Sequence, residues 1–407
     1  MALKGREYLR KQLTLKRSRV LLRYKYYDMK NGIKYFRTLI PSEFMWMSET
    51  LGWCGKAVDS LADRLSFREF ENDNYLFNEI FAKNNPVTLL DSVVNASLIG
   101  SCCFVYISED IDGFPRLQAI DGSEATGDPD PITGMLKEGY AVLSRDKNGN
   151  PELEAYFLPG RTEYYQGNQL IRVDTHWAPY PLLVPIVYRP NIQRPFGHSR
   201  ISRACMSLMQ GALRTLLRSE VSAEFYSFPQ KWVSGLSQDV DELDSWKATI
   251  ASLLSFTKDE DGEAPKLGQF TQQSMSPFTE QLRTFAALFA GETGLTLDDL
   301  GFVTDNPSSA EAIKASHENL RLMARKAQKT FGNALVNVGF LAACERDNMR
   351  FERQQFYLTK AAWDPVFEPD AAMLSGIGDG IGKINQAIPG YIGTRAMQDL
   401  TGIAPER

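Results

Sequence analysis

Residues 278–320 constrain this chain more than any other stretch, because they join a short helix, a glycine-bounded loop and the start of a long helix without any recognisable catalytic group. Ser308-Ser309-Ala310-Glu311 fits a capping box, in which a serine hydroxyl takes a first-turn N–H and the glutamate reaches back to the cap amide. From there Ile313, Leu320, Ala324, Ala327, Phe331, Leu335, Val338 and Leu341 recur at helical spacing, and no proline intervenes before Cys344. At 1.5 Å per residue such a helix runs roughly 50 Å. That exceeds the usual globular length and implies a strut packed along one face, as in a bundle or a ring of subunits. Gly332 and Gly339 sit seven apart on one side, where a neighbouring backbone can approach closely.

A second long helix is expected from Ser199 to about Tyr226. At 100° per residue Arg200, Arg203, Arg214 and Arg218 fall within a sector of roughly 60°, while Ile201, Cys205, Leu208, Ala212 and Leu216 centre on the other side. The stripe reads as a solvated face or as a row of ion pairs between subunits, with contact to DNA as the sharper alternative. Lys231–Gly235 and Lys266–Phe270 read as short strands around a helix over 239–256 that opens with Asp239, Asp241 and Glu242. The charged loop 258–265 carries Asp259, Glu260 and Asp261. Ser276-Pro277 starts the next helix with a cap and a first-turn proline, and Gly291 and Gly294 end it.

Two of these segments carry a resemblance. Thr293-Gly294-Leu295-Thr296-Leu297-Asp298-Asp299-Leu300-Gly301, followed by Asn306-Pro307-Ser308-Ser309-Ala310-Glu311-Ala312-Ile313, resembles the tunnel loop and long helix of portal proteins from long-tailed double-stranded DNA bacteriophages. Pro195-Phe196-Gly197-His198-Ser199-Arg200-Ile201-Ser202, with the helix that leads to Pro229-Gln230-Lys231-Trp232-Val233-Ser234-Gly235, is similar to that family's first stem helix and its entry into the clip. The two matches stand in the family's order and cover about the middle third of the chain.

The resemblance implies an α+β portal fold: a wing over 1–195, first stem helix 196–229, clip 230–275, second stem helix 276–293, tunnel loop 294–307, long helix 308–346, and a returning wing strand with a short helical, crown-like tail over 347–407. It implies a ring of about twelve copies at one capsid vertex, through which double-stranded DNA enters and leaves. The implied partners are the terminase large subunit, the major capsid and scaffolding proteins and a head-tail adaptor, with assembly in the host cytoplasm. Leu297, Asp298, Asp299, Leu300, Thr304, Asp305 and Asn306 would then ring the channel, where carboxylates repel phosphate and act as a sliding collar. Arg200, Arg203, Arg214 and Arg218 would face the subunit interface or the channel. Asp239, Asp241, Glu242, Asp259, Glu260 and Asp261 would lie on the docking face of the clip.

Composition agrees without selecting this reading. A chain of 407 residues, 43% hydrophobic and 23% charged, buries a substantial core. A net charge of −5 argues against a protein that coats nucleic acid through a broad basic surface. The first residues are nonetheless basic, with Lys4, Arg6, Arg10, Lys11, Lys16, Arg17, Arg19, Arg23 and Lys25, and read as a solvated helical arm or a docking segment.

Residues 1–85 read as mainly helical, then 89–99 as a helix and 102–108 as a strand. Asp112-Gly113, Asp121-Gly122, Asn148-Gly149 and Gly167-Asn168 mark turns between strand-like runs at 140–144, 152–157 and 170–175, an antiparallel β region closed by the proline-rich stretch 179–195. After the long helix, 349–364 reads as a strand with Phe351, Phe356 and Leu358 in the core.

Enzyme signatures are thin. Gly376-Ile377-Gly378-Asp379-Gly380-Ile381-Gly382-Lys383 imitates a phosphate loop, but Ile377 and Ile384 occupy the positions that require Gly and Ser or Thr. His176, His198 and His317 are far apart, and His317-Glu318 reads as ordinary surface of the long helix; Asp128-Pro129-Asp130-Pro131 reads as a turn. No cofactor or metal motif is present. The five cysteines lack CxxC spacing and read as buried reduced thiols. The apolar stretch 93–107 is too short and too interrupted to span a bilayer, and the N-terminus lacks a signal core. Two alternatives stand beside the portal: a phage-associated nuclease or other enzyme, and a monomeric scaffold or adaptor.

Overall fold

A computed structural model of the chain describes residues 3–33, 49–110, 112–227, 231–234, 266–269, 274–302 and 315–403. The chain divides into a larger unit, Met1–Asn31 with Gly52–Met206 and Glu292–Arg407, and a smaller one, Gly32–Leu51 with Ser207–Gly291.

The larger unit begins with helix α1 (Arg6–Tyr27) and α2 (Trp53–Ala62), strand β1 (Phe67–Glu71), and helices α3 (Phe77–Ala82) and α4 (Pro86–Gly100). Strand β1 interrupts the mainly helical character expected of the first 85 residues. Eight strands follow: β2 (Cys102–Glu109), β3 (Pro115–Asp121), β4 (Ala125–Pro129), β5 (Leu136–Arg145), β6 (Pro151–Leu158), β7 (Arg161–Gln166), β8 (Gln169–Thr175) and β9 (Leu183–Val187). They form a three-stranded sheet ordered β3-β2-β9 and a five-stranded meander β4 to β8, with neighbouring strands antiparallel throughout. Three of the four turn signals close hairpins. The fourth, Asp121-Gly122, instead passes the chain from the first sheet to the second, because β4 pairs with β5 and not with β3.

Helix α1 is not a solvated arm. Leu9 and Leu13 are buried with Tyr140, Val142, Tyr156 and Leu158 of the meander. Its cations turn the same way. Buried Glu154 takes Arg6 at 3.4 Å and Arg10 at 3.2 Å; Arg17 and Arg145 share Glu124, and Lys4 meets Asp128 at 2.6 Å. Lys16 donates to the Cys102 Sγ, and Arg23 to the Gly100 carbonyl. At the helix start, the buried Glu138 accepts the Lys4 and Gly5 N–H groups, a carboxylate set where the helix dipole is positive. Lys11, Arg19 and Lys25 remain exposed.

The long helix is α7 (Glu318–Arg346). Its proposed capping box at 308–311 lies outside the described residues, and the helix starts after His317, whose φ of −92° and ψ of 4° interrupt the ladder. The 29 residues that remain span about 44 Å. Leu320, Ala324, Ala327, Phe331, Leu335, Val338 and Leu341 are all buried, as the spacing requires. Gly339 admits the Phe77 ring of α3, since a Cβ there would lie 2.5 Å from it. Phe77, Phe340 and Phe356 then stack into one aromatic core at centroid distances of 5.2 and 5.3 Å.

After α7 the chain makes a 3-10 turn (Arg353–Phe356) and only a four-residue strand, β12 (Lys360–Trp363). β12 pairs with β1, forming a separate two-stranded ribbon rather than rejoining the meander. Phe356 is core and Phe351 packs on it, but Leu358 is 49% exposed, because the 3-10 turn breaks the alternation that a strand through 349–364 would impose. The glycine-rich tail is helix α8 (Ala371–Ala387), capped by Asp370 accepting the Met373 N–H, followed by α9 (Thr394–Thr401). All five cysteines are buried and free. No described helix is long and apolar enough to cross a membrane.

The smaller unit holds most of helices α5 (Arg203–Ser227) and α6 (Ser276–Thr293), with strands β10 (Lys231–Ser234) and β11 (Lys266–Gln269) paired antiparallel between them in sequence. Gly211 makes room for the Phe285 ring, and Thr215 donates to Gln281 at 3.1 Å. As numbering rises along α5 it falls along α6, so the two helices pack antiparallel.

Candidate functional site

Helix α5 starts at Arg203, not Ser199, which changes the arginine stripe. Arg203, Arg214 and Arg218 share a face of the helix. Arg203 is exposed, and Arg214 and Arg218 are half-buried, while Cys205, Met209, Ala212, Leu213 and Leu217 are buried. Leu208 and Leu216 of the expected apolar face are half-buried, and Ile201 is buried just outside the helix.

Arg200 leaves the stripe altogether. It is 7% exposed and donates to the Ala57 carbonyl of α2 at 2.6 Å, to the Thr293 carbonyl at the end of α6 at 2.7 Å, and toward the Met323 Sδ of α7 at 3.4 Å. Burial lowers its pKa, partly offset by Tyr188. A guanidinium carries five donors in a rigid fork, which lets one side chain bridge three separate segments. Neutral carbonyls, rather than a carboxylate, absorb its charge. The neighbouring Ser202 hydroxyl donates to Glu292 at 2.8 Å, and the Ser199 hydroxyl to the Ile99 carbonyl at 2.7 Å. An internal joint of this kind does not present Arg200 to a channel or a partner, so that expectation is corrected. Sequence reasoning missed it by extending the helix four residues too far, over 199–202.

The loop after α6 is a folded turn for as far as it is described, through residue 302. Gly294 has φ +68°, a left-handed conformation that favours glycine, and it lies against the Met323 methyl. Asp299 accepts the Thr296 N–H and hydroxyl, each at 2.9 Å, and the Thr296 oxygen accepts the Asp299 N–H at 3.2 Å. This reciprocal cap starts a 3-10 turn over Asp298–Leu300, closed by Gly301 at φ +89°. Leu295 and Leu300 are each 7% exposed and anchor the turn, Leu297 is half-buried, and Asp298 is exposed.

The His317 Nδ1 lies 3.8 Å from Asp299, at the break before α7, with the ring near Phe367, so this histidine is partly enclosed rather than ordinary surface. Of the acidic collar, Asp298 keeps an open side chain, whereas Asp299 is half-buried and engaged locally and Leu300 is buried. Thr304, Asp305 and Asn306 lie outside the described residues, as do the clip candidates Asp239, Asp241, Glu242, Asp259, Glu260 and Asp261.

No catalytic constellation forms among the described residues. No group of three or more His, Cys, Asp or Glu side chains could hold a metal ion. His176 is half-buried, with its pKa lowered to about 4 by desolvation, and the His198 Nδ1 lies 3.1 Å from the Arg189 carbonyl. Burial raises the thiol pKa of Cys54, Cys103, Cys205 and Cys344, which keeps them protonated and unreactive.

No protein-family model matches the chain. Two curated proteins do. The portal protein of Mycobacterium phage L5 is 27% identical over 340 residues, and the portal protein of Mycobacterium phage D29 is 26% identical over 338; each match covers 76% of this chain and 68% of the relative. A chain in the neck of an empty gene transfer agent particle superposes with a TM-score of 0.50 at 14% identity, covering 87% of this chain and 90% of that one. The chain is therefore similar in sequence to portal proteins of bacteriophages and shares a mixed helix-and-sheet fold with a phage-like neck component.

Proposed function

We propose that the chain is a portal subunit: copies join head to tail into a closed ring of about twelve at one capsid vertex, and DNA passes through its centre during packaging and ejection. The similarity to two portal proteins over three quarters of the chain carries this reading. The packing of α5 against α6, with the β10–β11 pair between them in sequence, suits a two-helix stem that ends in a clip. In this reading 1–195 is the wing, 196–229 and 276–293 are the stem, 230–275 is the clip, 294–307 is the tunnel loop, 308–346 is the long helix, and 347–407 is the returning strand and short crown-like tail.

The clip offers a docking face to the terminase large subunit and later to a head-tail adaptor, and the wing meets the capsid and scaffolding proteins. The protein performs no chemistry; the packaging motor supplies the energy. Arg203 and Arg218 of the stem contribute to contacts between neighbouring subunits. Asp298 lines the collar as an acidic group that slides past phosphate rather than gripping it, since strong phosphate contacts would hold the polymer in place.

Negative-stain electron microscopy with native mass measurement tests this. Rings of about twelve subunits around a duplex-wide hole are expected. A monomer at all concentrations, also with capsid proteins present, overturns the reading; metal-dependent cleavage of DNA would favour a nuclease instead, and stable monomeric binding to another virion protein would favour an adaptor.

A further inference from the structure

Two grooves of opposite charge border the β1–β12 ribbon. The first, about 590 Å³, lies along β12 between α7 and the turn at 353–356, and is lined by Arg325, Lys329, Arg353 and Lys360 beside Tyr357 and Trp363. No carboxylate lines it, and none of the four cations forms an ion pair among the described residues. Arg353 is the most enclosed. Its Nε donates to the Asn337 amide oxygen at 2.7 Å and a terminal nitrogen reaches Asn333 at 3.4 Å, both neutral acceptors, and desolvation lowers its pKa with nothing negative to offset it. A guanidinium so placed keeps unfilled donor capacity for an incoming carboxylate.

The second groove, about 670 Å³, lies along β1 beside α3 and α4, with Asp63, Glu69 and Asp91 in its lining. Arg68 is its only cation and is already held by Asp399 at 2.7 Å and Glu71 at 3.7 Å. Asp63 and Asp91 are exposed and form no ion pair among the described residues. At this rim Val87 is 70% exposed.

The two strands pair only with each other among the described residues, and residues of β12 line one groove while residues of β1 line the other. We propose that the cationic groove of one copy receives the carboxylate rim around Asp63 and Asp91 of the next, so that the two sides of one ribbon are the two halves of a head-to-tail subunit contact.

The inference rests on the ring reading for the presence of a second copy, and adds which surfaces meet. A heterologous contact requires two different patches of the same chain to be mutually complementary, and these two are complementary in charge and similar in size. A recess flanked by Tyr357 and Trp363 suits inserted side chains better than the convex backbone of a duplex, which is neutralised by broad exposed basic surfaces.

Charge reversal tests the pairing. The double variant Arg325→Glu with Lys329→Glu uses two exposed helix positions, and Asp63→Lys with Asp91→Lys uses two exposed rim positions. Each pair alone is expected to reduce rings at least about tenfold while circular dichroism stays at the wild-type spectrum, and the four substitutions combined restore rings. Rings that tolerate either reversed pair, or a combined variant that recovers nothing, overturn the contact. Duplex DNA binding lost in the Arg325→Glu/Lys329→Glu variant with rings intact would assign the groove to nucleic acid and likewise overturn it. A wild-type chain that never forms rings removes the portal reading and the contact together, whereas wild-type rings indifferent to the reversals remove the contact alone.

Discussion

Helices α1 and α7 both carry rows of cations, and they use them in opposite ways. On α1, Arg6, Arg10 and Arg17 point into the meander and meet Glu154 and Glu124, carboxylates supplied by other parts of the chain. On the first half of α7, Arg325 and Lys329 border a groove with no carboxylate in its lining. At its other end α7 carries the reverse case. Glu345 is pushed up to about 7, by burial first and then by the nearby negative charges of Glu109 and Asp174. The contrast teaches that a basic run in a sequence says little about outside partners until the facing carboxylates are located: Arg6, Arg10 and Arg17 of α1 are paired within the chain, whereas Arg325 and Lys329 of α7 form no ion pair among the described residues.

The strongest way to break the comparison is to remove an internal counter-charge from α1. Glu154→Ala leaves the Arg6 guanidinium and the Tyr140 hydroxyl, which donates to Glu154 at 2.6 Å, without their buried acceptor. A loss of about 3 to 5 kcal/mol in urea unfolding is expected, and a loss below about 1 kcal/mol would show the pair to be unimportant.

The Glu345 case gives a pH dependence. Its folded pKa of about 7 lies above the ordinary value of 4.5, so between these the folded state holds a proton that the unfolded state has released. Stability therefore falls as pH rises through that window. Glu345→Gln removes the effect, and the melting-temperature gain of the variant over wild type should grow from pH 5 to pH 8; a constant difference contradicts the assignment. The smallest effect is expected where α1 faces solvent. Lys11→Glu with Arg19→Glu should change stability by less than about 0.5 kcal/mol and leave rings unchanged by electron microscopy, and a larger change would reveal an outside partner for α1.

Elements whose signals are local were legible in the sequence. Helix α4, strands β2, β5, β6 and β8, the β10–β11 pair, the Ser276 start of α6 and the buried face of α7 all follow from periodicity, turn residues or caps within a few positions. What escaped depends on distant partners. Strand β1 is five residues long and exists because β12 lies beside it, pairing Phe67 with Trp363. Strand β9 hid among prolines; Pro185 is tolerated there because β9 is an edge of its sheet, where one side of the strand needs no amide partner.

The same holds for the candidate site. Three arginines of the stripe were placed on one helix face by spacing alone, whereas the role of Arg200 depended on carbonyls of Ala57 and Thr293 that no local pattern reveals. The internal pairing of α1 was invisible for the same reason, with Arg6 and Glu154 separated by 148 positions.

The Arg200 joint also bears on the order in which the chain matures. Its bonds reach across 143 positions to Ala57, 93 to Thr293 and 123 to Met323. Contacts this distant in sequence are slow to close, and during synthesis the last of them is absent until residue 323 has emerged. A nascent or truncated chain thus lacks the fastening between α2, the end of α6 and α7 until most of the polypeptide exists.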